Sequence, residues 1–541
     1  MDKAGSQEPP RLAAAGPDGS ALKTVEYKGR FLYSQRNPAR TVEAAIERLN
    51  LLPETLVIVC SPVLWHGFQK LQSLLPPGCP ILALESDENL FSMAKQFMPK
   101  NAGTAFFMLK ENQKIDRFVR ELCRGGKIRR AARIDFSAGI QFAREQFDFT
   151  VDSIREIIGT FWKNRVTLMQ AGRLFSRNLL RNLKELDGGI LLEDMQQTVA
   201  KPIIVCGAGE GLDTLPYGAF RPEDFFILAV DAALPSLAKR GITPDAAVAL
   251  ESRIAIEKSY IGLKGKKILL FADLCSRNEV TKIPGGTTVW FASRYCDGTF
   301  LDRLQQAKVI EQFAEPMGSV GLAAVYIALK LRNSESVPVF AAGLDFSYSI
   351  GATHAKGTQA HTERLSKSSR LVPIENYEAS FCQAEQPVTA KNGSTVRSTK
   401  LLLSYAAQFT QMFAHQRNLF DCAETGISIG LRQRMLFLPE QPPEISAAKK
   451  ALPRAGNAMM FCEHEKKALK ELKDLLMNGE QSRFRNASIP LEAQISELLA
   501  GREYLYLHFP DGHKARTDIS FLKRIRAETD YFLKQLEIPR K

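Results

Sequence analysis

Apolar residues along this chain alternate between two spacings. Near-continuous apolar runs fall at residues 56–60, 81–84, 203–206, 225–230, 246–250, 267–272, 288–292 and 337–341, several of them ending in an acidic or glycine step. Short runs of that continuity predict strands buried on both faces. Between them apolar positions return at helical spacing: from the Ser61-Pro62 step through Leu75, over 232–240 before a Gly-Ile-Thr-Pro turn, and from about residue 319 to 331. Strand and helix in alternation predict an α/β chain of Rossmann-like parallel sheets with helices on both faces. Ligands of such sheets bind at the carboxyl ends of the strands, where the acidic and glycine positions gather.

A longer helical pattern separates two α/β regions. Ile154, Ile157, Ile158, Phe161, Leu168, Leu174, Phe175, Leu179 and Leu183 keep the 3.6-residue period, as one long amphipathic helix or a helical pair, and Gly188-Gly189 is its stop signal. Beyond about Lys400 amphipathic helices dominate, at 466–477 and 521–536, and the aromatic run 504–509 reads as a strand. The expected organisation is a disordered leader over 1–25, a Rossmann-like domain over 26–150, a helical connector over 151–195, a central α/β catalytic domain over 196–400 and a mostly helical C-terminal domain over 401–541.

Composition narrows the class. With 541 residues, 45% hydrophobic and 24% charged, the chain has length for several packed domains. The opening residues lack the apolar core of a signal peptide, and the apolar run from 318 to 331 is too short to cross a bilayer, so the expected location is the cytoplasm. Nine cysteines are scattered without a CxxC pair or metal-ligand spacing, which predicts reduced thiols and no metal site. A net charge of +13 suits an anionic substrate or acidic partner. Nucleic acid is not expected, because the basic stretch from Arg124 to Arg133 carries no interleaved aromatics.

The sharpest chemical signal is Pro202-Ile-Ile-Val-Cys-Gly-Ala-Gly-Glu-Gly211, a buried strand breaking into alternating glycines. Gly207, Gly209 and Gly211 would let the backbone turn and set bare N–H groups against a phosphate. The equivalent loop of the first region, from Ser61 to Gly67, carries proline and bulky residues instead, so no nucleotide is expected there, and Trp65 and His66 read as packing and surface positions. Asp231, at the next strand end, reads either as an acceptor for a sugar hydroxyl or as a helix cap, and Glu251 closes the strand after it. Gly318, Ser319 and Gly321 open a helix, forming a second anion site or a plain cap. Gly343 and Asp345 end a strand, and the Gly/Ser/Thr-rich loop behind them, lid-like in composition, presents Tyr348, His354 and Lys356. His354 on such a loop is a candidate general base.

Four segments in order, GAGEGLDTL at 207–215, ILAVDAALPSLAKRGITPDAAVALES at 227–252, MGSVGLAAVYIALKL at 317–331 and FAAGLDFSYSIGATHAKGT at 340–358, resemble the motility accessory factor (Maf) family of flagellin glycosyltransferases. That family shares a domain with the 6-hydroxymethylpterin pyrophosphokinase-like (MptE-like) proteins and is similar to bacterial sialyltransferases. The resemblance covers roughly residues 30 to 400. It implies transfer of a nonulosonic acid, of sialic, pseudaminic or legionaminic type, from its CMP-sugar to Ser or Thr of flagellin, with no obligatory cofactor. Under it Gly207, Gly209, Gly211 and the 318–321 helix start hold the nucleotide, Asp231, Glu251 and Gly343 line the cleft, and Asp345 and His354 serve catalysis, with Lys356 or Tyr348 on the leaving phosphate. The loop departs from the family's Gly-x-Gly-Pro-Ser-Leu form in Glu210, which sets negative charge beside the expected phosphate. Two other readings stay open: a Mg²⁺-dependent pyrophosphokinase, for which Ala249-Leu-Glu-Ser252 lacks a paired aspartate, and a non-enzymatic flagellin- or sugar-nucleotide-binding assembly factor.

Overall fold

The computed structural model describes residues 9–16, 22–100, 103–187, 189–218, 221–371, 373, 385–439, 456–478 and 490–538. The chain divides into two compact units, Met1–Gln170 with Tyr506–Ala515, and Ala171–Leu505 with Arg516–Lys541.

The first unit opens with an antiparallel sheet of β1 (Arg11–Ala14), β2 (Lys23–Tyr27) and β3 (Arg30–Phe31). Strand β1 lies inside the segment expected to be a disordered leader. Its side chains are mostly exposed and it is held by backbone pairing, which leaves no hydrophobic signature; the rest of that leader, 1–8 and 17–21, lies outside the described residues. A parallel sheet follows, ordered β6 (Thr104–Met108), β5 (Ile81–Glu85), β4 (Thr55–Cys60) and β7 (Arg130–Asp135), with helices α1 (Arg40–Glu47), α2 (Phe68–Leu74), α3 (Glu88–Phe97) and α4 (Asn112–Arg124). Every residue of β4 and β5 is buried, as their unbroken apolar sequences require. Trp65 is a core residue whose indole donates to the Ala94 carbonyl at 2.8 Å.

The expected long helix is a single one, α5 (Arg144–Leu186), and the division between the units falls within it. In the second unit nine parallel strands run in the order β18 (Arg432–Gln433), β17 (Leu419–Asp421), β14 (Val339–Ala342), β9 (Ile203–Cys206), β10 (Phe226–Val230), β11 (Ala246–Ala249), β12 (Leu269–Asp273), β13 (Thr288–Phe291) and β8 (Ile190–Leu191). The two strands at one side of this sheet, β18 at the edge and β17 beside it, therefore come from beyond residue 400, where the apolar pattern suggested helices; they are too short to show a period. The helices of this unit are α6 (Leu234–Lys239), α7 (Thr299–Gln306), α8 (Val320–Leu331), α9 (Gln359–Lys367), α10 (Lys400–Phe413), α11 (Asn457–Asn478), α12 (Leu491–Leu499) and α13 (Ile519–Glu537), and a hairpin of β15 (Glu385–Thr389) and β16 (Thr395–Thr399) precedes α10. Small residues along α8 let it lie on β9, β10, β11 and β14. The run 504–509 is no strand: it begins in a short 3₁₀ turn, and Tyr504, fully buried, packs on Phe300 and Phe532 and donates to Glu465 at 2.8 Å. Among the described residues no helix is long and apolar enough to cross a membrane.

Chain order rises from β9 outward through β10 to β13, then jumps to β14 on β9's other flank. That reversal separates the connections after β9 and β14 and leaves a crevice at their carboxyl ends. The loops beyond β11 and β12 are fixed from α5. Asn178 Nδ2 donates to Ser252 and Cys275 carbonyls at 3.1 Å each, and Asn182 Nδ2 donates to Leu274 and Ser276 carbonyls at 2.9 and 3.0 Å while its Oδ1 accepts from Asn278. Both asparagines are fully buried. Replacing Asn182 with Leu strands these groups at about 1–3 kcal/mol each, so urea unfolding of the full chain should show a loss of about 2 kcal/mol or more. A loss under about 0.5 kcal/mol would mean that water takes over the asparagine's bonds.

Candidate functional site

The crevice holds a cavity of about 440 Å³. It is lined by the β9 loop (Gly207, Ala208, Gly209), the β10 end (Val230, Ala232), the α8 start (Ser319, Val320, Gly321), the stretch after β14 (Gly343 to Tyr348), Thr353 and His354, and the α10 start (Thr399, Leu402). Two helix N-termini thus meet one cavity, each capped by its own hydroxyl: Ser319 Oγ accepts from Gly321, and Thr399 Oγ1 accepts from Leu402. Their dipoles make it a favourable place for negative charge.

The glycines do a different job from the one expected of them. Gly207 N–H donates to the Ala342 carbonyl at 2.7 Å, Gly209 N–H to the Gly343 carbonyl at 2.9 Å and Gly211 N–H to Asp345 Oδ2 at 2.7 Å, so these three donors serve the neighbouring loop and not a phosphate. Glycine is required here by crowding. A Cβ on Gly207 would stand 2.3 Å from the Gly343 carbonyl oxygen, and one on Gly209 2.2 Å from Asp345 Oδ2. Gly211 packs against Asp345 and Ala423 and does not line the cavity. At Gly318 the constraint is Tyr405, whose ring a Cβ would meet at 2.3 Å.

Asp345 is buried with both oxygens engaged, Oδ2 by Gly211 and Oδ1 by the Thr425 hydroxyl at 3.3 Å. It therefore holds the glycine loop in place. Burial pushes its pKa up to about 6, while the Gly211 hydrogen bond and the charge of Lys391 pull the other way. Lys391 is itself buried in a 2.6 Å ion pair with Asp421 at the end of β17.

The loop after β14 is anchored, not the free flap its composition suggested. Glu210 Oε2 accepts from Ser349 N–H at 3.1 Å, Ala355 N–H donates to Ala208, and Tyr348 exchanges backbone bonds with Arg397. Glu210, the departure from the family's loop, thus ties the glycine turn to this loop. Tyr348 and His354 line the cavity. Lys356 does not: its N–H is bound to Asp213 and its carbonyl accepts from Ser236 and Arg240, leaving its side chain exposed. Glu251 is also outside, accepting from the N–H groups of Ser252 and Arg253. Asp231 is buried behind the lining, with Oδ1 on Ala232 N–H and Oδ2 without a partner among the described residues. It does not cap α6, whose cap position is Ala233.

Sequence reasoning passed over Thr353, Arg364, Lys391 and the α10 start. Thr399 before Lys400-Leu-Leu-Leu is a readable helix-cap signal; Arg364 and Lys391 look like surface cations until the fold buries them.

The sequence model of the family described as 6-hydroxymethylpterin diphosphokinase MptE-like matches residues 177–351, from the end of α5 through the glycine loop, Asp231, Gly318 and Asp345. An uncharacterized protein of Treponema pallidum (strain Nichols) is 32% identical over 545 residues, covering 95% of this chain and 93% of its own length. The chain belongs to the same family as this Treponema protein and carries an MptE-like domain over residues 177–351. The MAf glycosyltransferase from Magnetospirillum magneticum AMB-1 matches with a TM-score of 0.50 at 14% identity, over 98% of this chain and 91% of that one. The chain therefore shares the MAf fold along nearly its whole length.

Burial raises the Asp231 pKa to about 7, and the Glu251 charge adds to the effect against the Ala232 hydrogen bond. The unfolded carboxyl ionises near pH 4, so the native state binds the extra proton between about pH 4 and 7 and loses stability as pH rises through that window, then no further. The stability of Asp231→Asn relative to wild type should rise over the same window and level off above it. Urea midpoints at several pH values check this, and a difference independent of pH would show that Asp231 ionises normally.

Proposed function

We propose that this protein is a glycosyltransferase that moves a nonulosonic acid from its CMP-sugar to Ser or Thr of flagellin. One observation carries the reading: the four sequence segments of the family resemblance, far apart in the chain, all contribute lining to one cavity at the switch point of the sheet. The cavity is of ligand size, and the starts of α8 and α10 favour an anionic group within it. In the reaction the bond from the anomeric carbon to the phosphate oxygen breaks, CMP leaves with the electron pair, the acceptor oxygen bonds to that carbon and its proton is lost. Charge building on the departing phosphate is met by fixed dipoles. Asp345 keeps the glycine loop in register, and Tyr348, which lines the cavity, is assigned to the leaving phosphate.

The donor is a sugar nucleotide, the acceptor flagellin and the compartment the cytoplasm; no metal is assigned. The family description favours a second reading, a Mg²⁺-dependent diphosphokinase. Calorimetry with CMP and ATP, with and without Mg²⁺, separates the two. Metal-independent CMP binding is expected, reduced at least about tenfold by Gly318→Val, whose side chain must displace Tyr405, with the circular dichroism spectrum unchanged. Binding of ATP only with Mg²⁺ would replace transfer with diphosphate chemistry, and binding of neither would leave the assembly-factor reading.

A further inference from the structure

Two contacts beside the cavity fix more than the position of His354. Arg364 on α9 is 2% exposed, and its Nη1–H donates to Thr353 Oγ1 at 2.9 Å. The same oxygen lies 3.2 Å from His354 Nδ1, and both Thr353 and His354 line the cavity. A guanidinium only donates, whereas a hydroxyl has one proton to give and two lone pairs to offer. With the arginine proton on one lone pair, the threonine proton is best used on the ring nitrogen beside it. Nδ1 is then the acceptor, and the proton of the neutral ring sits on Nε2. The opposite tautomer would place two donors on one oxygen and send the threonine proton elsewhere.

Charge points the same way. The His354 pKa is lowered, first by burial and then by the Arg364 charge. A histidine that takes up a proton during a reaction is served by a carboxylate at its far nitrogen; here the far nitrogen meets a hydroxyl backed by a cation.

We infer that His354 is held as a neutral imidazole with Nε2–H toward the cavity, where it donates a hydrogen bond to an anionic leaving group, and that Thr353 and Arg364 are positioning residues for this tautomer. This replaces the general-base role that loop composition suggested. Its leaving group rests on the transfer reading; its tautomer does not. As the bond between sugar carbon and phosphate oxygen breaks, the electron pair stays on that oxygen, Nε2–H stabilises it without giving up the proton, and the acceptor's proton passes to water.

Nitrogen NMR on the full chain labelled at histidine tests the tautomer directly, with His354→Gln assigning the signal. The neutral Nε2–H form is expected at about pH 7 to 8, above the lowered His354 pKa, with the bias toward it weakened in Thr353→Val and restored in Thr353→Ser. An Nδ1–H tautomer, or an imidazolium at pH 7, would overturn the inference. CMP release from the sugar nucleotide gives the second readout. His354→Ala should lose about 100- to 1,000-fold in kcat, as when a donor to a developing anion is removed, while His354→Gln, whose amide still donates, should stay within about tenfold. Equal losses in both variants would restore the base. If the wild-type protein releases no CMP, the transfer reading fails, and the NMR result still decides the tautomer.

Discussion

The candidate site depends on one close approach, the packing of the turn after β9 against the turn after β14. At a switch point two neighbouring parallel strands send their connections to opposite sides, so only their own turns remain to shape the crevice. Here the two turns are sewn together: Gly207 and Gly209 give their N–H groups to the Ala342 and Gly343 carbonyls, and Gly211 gives its own to Asp345. Any side chain at 207 or 209 would collide with that seam. Gly343 adopts a φ of +65°, which turns the chain so that Asp345 reaches across. The glycines thus create the room and rigidity of the cavity, and the anion-favouring donors come from the helix starts that face it.

This seam carries buried charge, and that charge must be compensated. Asp345 and Asp421 are both buried, with Lys391 as the cation set against them. Removing one member of such a group leaves an uncompensated charge, which costs more than the intact group contributes to stability. The arrangement is better read as a device for register. It ties the β15–β16 hairpin turn, which carries Lys391, to the ends of β14 and β17, and through Asp345 to the glycine loop. A site that must hold its lining within fractions of an ångström gains from such over-determination.

The sheet was legible in the sequence because its strands are buried on both faces and spell continuous apolar runs; β9, β10, β11 and β14 each fall within a residue or two of the pattern. The long helix was legible from its period. What escaped was held by backbone alone or was too short to show a period: β1, with its exposed side chains, and the short strands β17 and β18 at one side of the large sheet. At the site, the segments were legible and the roles were not. A glycine needed for crowding and a glycine needed to expose an N–H look the same in a sequence. So do a lysine that lines a cavity and one, like Lys356, that is tethered by its backbone outside it.

The first unit shows what the same topology becomes without that seam. Its strand order also reverses, between β4 and β7, so it too has a crevice at the carboxyl ends. There the corresponding positions are filled. Ser61 donates to Glu85 at 2.8 Å and lies 2.9 Å from the Ser137 hydroxyl, and Tyr33 donates to the Pro62 carbonyl while accepting from Leu64 N–H. All of these side chains are buried. Burial holds the Glu85 pKa above its ordinary value against the Ser61 and backbone donors, so this carboxyl is accommodated as part of a packed polar plug. A sheet of this kind makes a crevice whatever its sequence; the residues just past the strand ends decide whether it is filled from within or left open. Serine, proline, tryptophan and tyrosine close the first, and glycines pressed against a neighbouring turn keep the second open.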